Sequence, residues 1–222
     1  MDVALSPSLA RICGDITGDG HLQLKDWRGL TSFYSKNLTD IRAMNDRFRS
    51  VFSISGRVYE DRRYGRLRYK IFFISKPTAE FLASLCVPVG NKTNQPFDVP
   101  AWILQGGNDF YRQYLRGLFS SEGSVYSTRT NSSVLRWRIE IEMYKWTKYQ
   151  KEAVTYMNQI KGMLQKLHIL CSPARLGRKN KRKDGTYSIA VKLDIEQHSF
   201  KKFYDEVGFD SERKMNILKC HL

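Results

Sequence analysis

Cysteine is scarce and scattered. Cys13, Cys86, Cys171 and Cys220 stand far apart with no CxxC pair, and the four histidines do not gather near them. That argues against zinc fingers and zinc-dependent nucleases and for reduced, mostly packed thiols of an intracellular protein. Long apolar runs are also missing: nothing approaches the roughly 18 residues that cross a bilayer. The opening "MDVALSPSLARICG" lacks a basic segment followed by an apolar one, so neither an export signal nor a membrane partner is expected and the chain reads as soluble. Negative charge is in deficit, with 22 Asp and Glu against 37 Lys and Arg and a net charge of +15. Such an excess points to a polyanionic partner. At 222 residues, 41% hydrophobic and 13% aromatic, the chain has enough apolar material for one large domain or two compact ones, which excludes disorder.

What is there repeats itself. The patterning predicts a helix over 8–18, strands at "HLQLK" and "LTSFYS", and a helix from Leu38 to Val51 with Asn37 as N-cap. Alternating segments "ISGRVYED" and "GRLRYKIFFIS" follow across "RRYG", then a helix "PTAEFLASL" with Pro77 near its first turn. After "VPVGNKTNQPFDVP" and the short "AWILQ" the order restarts. A helix spans 109–121, "SVYSTRT" and "VLRWRIEIEMY" pair across "NSS", and a long helix covers 148–167. A hairpin then turns at "KDGT", and helices follow at "SFKKFYDEV" and near the C-terminus. This is α+β: two pseudo-symmetric αββαββα repeats, residues 1–90 and 108–222, joined by a linker over 91–107, each expected to carry an antiparallel sheet.

Each repeat opens on a helix thinned to small residues on one face and closed by an acid. In "RICGDITGDG" Gly14 and Gly18 lie four apart before Asp19-Gly20, and in "YLRGLFSSEG" Gly117 and Ser121 lie four apart before Glu122-Gly123. Residues four apart share a helix face, so two such stripes let two backbones touch. Packed so, Asp19 and Glu122 emerge side by side, where two carboxylates repel unless protonated or bridged by cations. An oxygen-only ligand set next to a basic surface favours Mg²⁺, with Mn²⁺ or Ca²⁺ as substitutes in binding.

Aligned by their ends, "ICGDITGDG" and "LRGLFSSEG" resemble the two signature motifs of the LAGLIDADG homing endonucleases, in the single-chain, two-repeat form. The resemblance covers nearly the whole chain. It implies that the motif helices form the interface between the halves and that each half lays a curved antiparallel sheet on DNA. It also implies that Asp19 with the Gly18 carbonyl, and Glu122 with the Ser121 carbonyl, hold divalent metal. "VPVGNKTNQPFDVPAWI" is similar to the segment that supplies a lysine near the metal-bound water, matched by Lys92, and "VGFDSERKMNIL" puts Lys214 in that role in the second half. Lys36 and Lys145 occupy corresponding places where the second strand of each repeat meets the second helix. Two positions depart from the signature: Asp15 stands where an apolar residue is usual, paired with Arg11 or near Asp19, and Arg116 stands where a small one is.

Alternation places Trp137, Ile139, Ile141 and Met143 on one face of "VLRWRIEIEMY" and Arg136, Arg138, Glu140 and Glu142 on the other. In the first half Leu67, Tyr69 and Ile71 face the core while Arg66, Arg68 and Lys70 face out, joined by Arg57 and Tyr59. The outward set of the second half includes the arginine that closes "SVYSTR" (Arg129, beside Thr128), with Arg175, Lys192 and a basic tip at 178–183. Outward Arg and Lys suit a sheet in a major groove, Arg reading guanine edges and Lys holding phosphates. The resulting expectation is a monomeric, metal-dependent endonuclease that cuts one phosphodiester per strand of a long asymmetric duplex. An RNA-binding intron maturase and a DNA-binding regulator without cleavage stay open, though both acids favour the nuclease. An intein is not expected.

Overall fold

The structure, a computed structural model, describes residues 3–62, 67–129 and 135–222. The expected turns at "RRYG" and "NSS", and Arg66, lie wholly or mainly outside the described residues.

Chain entry is set by local chemistry. Helix α1 (Pro7–Thr17) starts where Ser6 accepts a hydrogen bond from the Leu9 amide and Pro7 fits the first turn. Strands β1 (His21–Lys25) and β2 (Arg28–Ser35) form a hairpin, followed by α2 (Leu38–Phe52). Asn37 holds the expected N-cap position, but its side chain makes no capping bond; its Nδ2 donates instead to Asp40. Strands β3 (Arg57–Asp61) and β4 (Arg68–Ile74) complete a sheet ordered β1-β2-β4-β3. Helix α3 (Lys76–Ser84) is capped by Ser75, with Pro77 in its first turn.

The connector is more structured than its Pro, Gly and Asn content suggests. It carries a 3₁₀ turn at Lys92–Asn94, and "AWILQ" is a helix, α4 (Ala101–Gln105). The order then recurs: α5 (Asn108–Glu122), β5 (Gly123–Arg129), β6 (Leu135–Trp146), α6 (Gln150–Lys166), β7 (Arg175–Lys181), β8 (Tyr187–Ile195) and α7 (Phe200–Glu206), with α8 (Glu212–Lys219) added. The second sheet is β5-β6-β8-β7, the first order repeated, antiparallel throughout.

Between the sheets α1 and α5 pack backbone to backbone. A Cβ on Gly117 would stand 2.7 Å from the Asp15 amide nitrogen and 2.8 Å from the Arg11 carbonyl, and one on Gly14 would overlap the Tyr114 carbonyl. The small stripes are therefore a steric requirement of this interface. Around it Leu9, Ile12, Ile16, Leu115 and Leu118 are fully buried. Phe48 stacks on Phe73 at 3.9 Å in one half, and Phe119 meets Phe203 edge-on at 5.0 Å in the other, so each sheet covers its own aromatic core.

Candidate active site at the ends of the paired helices

The helix geometry delivers the two acids to one place. Gly18 ends α1 with its N–H on Gly14, and the Gly20 N–H turns back to Asp15, which leaves Asp19 exposed at the tip. Helix α5 runs to Glu122 and passes straight into β5, so Glu122 is half-buried. Burial, then the neighbouring Asp19 charge, pushes the Glu122 carboxyl up to about 7, against the pull of Lys92 and Lys214. A carboxylate whose ionisation is made costlier by burial and a second acid beside it is a fitting seat for a hard cation. Among the described residues no cluster of three or more His, Cys, Asp or Glu could hold a metal. The rest of an oxygen shell would come from carbonyls, water or a phosphate ligand.

Two lysines close the site from opposite sides. Lys92 Nζ donates to the carbonyls of Ile16 (3.0 Å) and Gly20 (2.8 Å), and Lys214 Nζ to those of Ser120 (3.0 Å) and Gly123 (2.6 Å). Each ammonium thus holds the carbonyl of the glycine after its acid. Burial lowers the Lys92 ammonium to about 8, opposed by Glu122 and Asp19, and burial lowers Lys214 as well. Beside Lys214 opens a cavity of about 830 Å³, lined by Asp19, Lys36, Asp40 and Arg68 among others.

Lys145 departs from expectation. It is 3% exposed, its Nζ donates to the Lys92 carbonyl at 2.5 Å and the Gln95 carbonyl at 3.1 Å, and it lies 3.3 Å over the Phe97 ring. Desolvation holds it down to about 7. It braces the segment carrying Lys92 and does not stand on the open face with exposed Lys36. The register explains why. His21 faces Ser32 in the first hairpin and Ser124 faces Glu140 in the second, so Lys36 lies four residues past its reference and Lys145 five. One residue of slip moves a side chain to the opposite face.

On the sheets, Arg57, Tyr59, Arg68 and Arg136 are exposed, and Lys70, Thr128 and Arg138 are partly so. Arg129 is exposed at the end of β5. Lys70 lies over the rings of Tyr34 (4.4 Å) and Phe72 (3.9 Å). Arg175 bonds Glu140 (2.9 Å) and Asp194 (2.6 Å), while Lys192 pairs with Glu140 (3.2 Å) and Glu142. Trp137 shares the face of Ile139 and Ile141 as alternation requires, yet it is only half-buried, stacked on His221 at 3.8 Å near the C-terminus. Asp15 is buried between Arg11 (3.2 Å) and Arg47 (3.3 Å), away from the exposed tip. Arg116 reaches Asp210, which Arg11 also contacts. The departures from the motif thus form one ion cluster joining both motif helices. Sequence reading passed over Leu30, Tyr34, Phe72 and Ile74 on the outer face of the first sheet; the signal was present in the alternation of "LTSFY" and "KIFFI" but was masked by their apolar character.

The model of the LAGLIDADG-like domain family matches residues 109–208. Over 97% of this chain and 88% of its own, the homing endonuclease I-WcaI bound to its DNA recognition sequence superposes with a TM-score of 0.60 at 14% identity. A structure of variants of the homing endonuclease I-DmoI covers 97% and 98% of the two chains with a TM-score of 0.58 at 12% identity. Other I-DmoI structures are complexes with target DNA in the presence of Mn or with DNA and Ca. Among curated proteins the tRNA-splicing ligase RtcB of Methanopyrus kandleri is 26% identical over 96% of this chain and 22% of its own length. The chain spans about a fifth of the length of the curated relatives it matches.

Proposed function

We propose that this chain, whose residues 109–208 match the LAGLIDADG-like domain, is a site-specific endonuclease that cuts both strands of a long asymmetric DNA duplex with a divalent metal, Mg²⁺ by its oxygen-rich donor set. The observation that carries the reading is the twofold arrangement at the helix ends: one acid, one following glycine carbonyl and one half-buried lysine from each half. A carboxyl pushed up to about 7 by burial and a second acid, at the shared end of two helices, is the kind of group that marks a reactive site and favours the nuclease reading.

Asp19 and Glu122 would hold the metal, helped by the Gly18 and Ser121 carbonyls. The bound cation would supply Lewis-acid stabilisation of the phosphoryl oxygens and an acidified water. Lys92, with an ammonium near 8, holds or releases a proton close to neutral pH, and so orients water and offsets the charge that develops on the phosphate. Lys214 stands over the site from the other half, where its ammonium would orient water and offset charge, and Lys145 keeps the Lys92 segment in place. No covalent enzyme intermediate is required.

The test is cleavage of a randomised duplex pool with Mg²⁺, followed by sequencing of the cut ends. We expect cuts at one long non-palindromic site. Asp19→Asn or Glu122→Gln should abolish them while affinity for the selected duplex stays within about tenfold, roughly 1.4 kcal/mol. A selected duplex that is bound and never cut would show a DNA-binding regulator, and selective retention of RNA would show a maturase. Undiminished cutting by either variant would overturn the acid assignment.

A further inference from the structure

The two sheets present different chemistry at matching positions. In the first, register pairs Leu30 with Ile74, Ser32 with Phe72 and Tyr34 with Lys70 on the face opposite buried Phe33, Ile71 and Phe73. Tyr59 joins this face opposite Lys70 and meets Phe72 edge-on at 5.4 Å. Ile74 is 53% exposed, Tyr59 48% and Tyr34 39%. In the second sheet the positions matching Ser32, Phe72, Tyr34 and Lys70 are Glu140, Asp194, Glu142 and Lys192, as the shared hairpin register shows. An apolar and aromatic ladder in one half stands where an ionic ladder stands in the other.

Exposed apolar side chains on a wet strand face cost free energy in the free protein, so this patch is explained by a partner with apolar groups of its own. Basic residues flank it: Arg57 and Arg68 on β3 and β4, with Lys70 across the rings. A duplex offers that combination in one place only, the major groove where thymine methyls line the floor between phosphates. In the second sheet, Arg175 is gripped by Glu140 and Asp194, and Arg138 lies 3.7 Å from Asp194 and donates to Thr128. Such guanidinium groups are held in one pose before they meet the N7 and O6 acceptors of guanine.

We propose that the first sheet selects a thymine-rich half-site by apolar contact with the 5-methyl groups, while the second selects guanines through arginines braced by carboxylates. The proposal rests on duplex binding as the function of this face. If no duplex is enriched from a random pool, that underlying reading fails; if a duplex is enriched, its chemistry judges the proposal.

The experiment uses the full chain and the duplex it selects, bound with Ca²⁺ present. Thymines of each half-site are replaced by uracil, which removes only the methyl, and guanines by 7-deazaguanine, which removes only N7. Uracil should weaken binding about fourfold per contacted methyl in one half-site and leave the other unchanged, the worth of one methylene-sized group. In the opposite half-site 7-deazaguanine should weaken binding about tenfold. Phe72→Ala with Ile74→Ala should erase the uracil effect, and Arg138→Ala with Arg175→Ala the deazaguanine effect, with thermal melts confirming that each variant is folded. Equal responses in both half-sites, a thymine-poor pair of half-sites, or uracil sensitivity that persists in the Phe72 and Ile74 variant would overturn the proposal. Should the apolar variant fail to fold, uracil and deazaguanine profiles of the unaltered protein decide by themselves.

Discussion

Glu122 is a residue whose charge is costly to the fold. Its folded value of about 7 lies above the ordinary 4.5, so the folded chain holds more protons than the unfolded one between those values. Stability therefore falls as pH rises from about 4.5 to 7 and stays lowered above 7. Glu122→Gln removes that cost. In the absence of divalent metal the variant should melt higher than the parent at pH 8, by about 1 to 3 kcal/mol given the partial burial, and the gap should close toward pH 5. Thermal melts across that pH range in chelator would check it, and a gap independent of pH would refute the assignment of the shift to this carboxyl. A variant more stable yet inactive is what a strained functional site leads one to expect.

Among the elements, the pair α1 and α5 is least tolerant of added volume. At Gly117 a new methyl would meet main-chain atoms on α1 at 2.7 and 2.8 Å, and main chain does not rotate out of the way. Gly117→Ala should cost about 3 kcal/mol, the upper part of the overpacking range, and Gly14→Ala a similar amount. Gly162 is the control. It sits inside α6 with open space where its Cβ would go, so Gly162→Ala should gain about 0.5 to 1 kcal/mol from helix propensity alone. Urea titrations of the three variants would measure all of this, and equal effects at Gly117 and Gly162 would show that the helices do not touch as described.

On the scale of the whole molecule, net charge and pseudo-symmetry decide how the partner is held. One chain supplies both sheets, so binding to one duplex should occur as a monomer, one protein per DNA in sedimentation. With +15 charges and basic residues on both sheets, six or more phosphates should be neutralised, and log K should fall against log salt with a slope of about −5 or steeper. A slope near zero, or two proteins per duplex, would contradict the twofold docking.

The primary structure by itself determined the element order, because the turn residues, caps and period-2 runs are local signals that each repeat carries twice. It also determined that Gly14 and Gly117 mark a tight helix contact, since a bare helix face has few other uses once it appears in duplicate. Burial was beyond it. Lys145 looks like any basic residue at a strand end, and only the register, counted from His21 opposite Ser32 and Ser124 opposite Glu140, turned it inward under the Lys92 carbonyl. Trp137 lies on the face alternation assigned, but how deep that face runs depends on what covers it, and there Trp137 stacks on the half-open edge of the core against His221 from near the C-terminus. Asp15 could pair with Arg11 or sit near Asp19 on periodicity alone; the third member, Arg47, comes from a helix about thirty residues away and settles it in the buried cluster. Local patterns are written residue by residue, whereas depth and partnership arise only when distant segments meet, and no single stretch of chain encodes them.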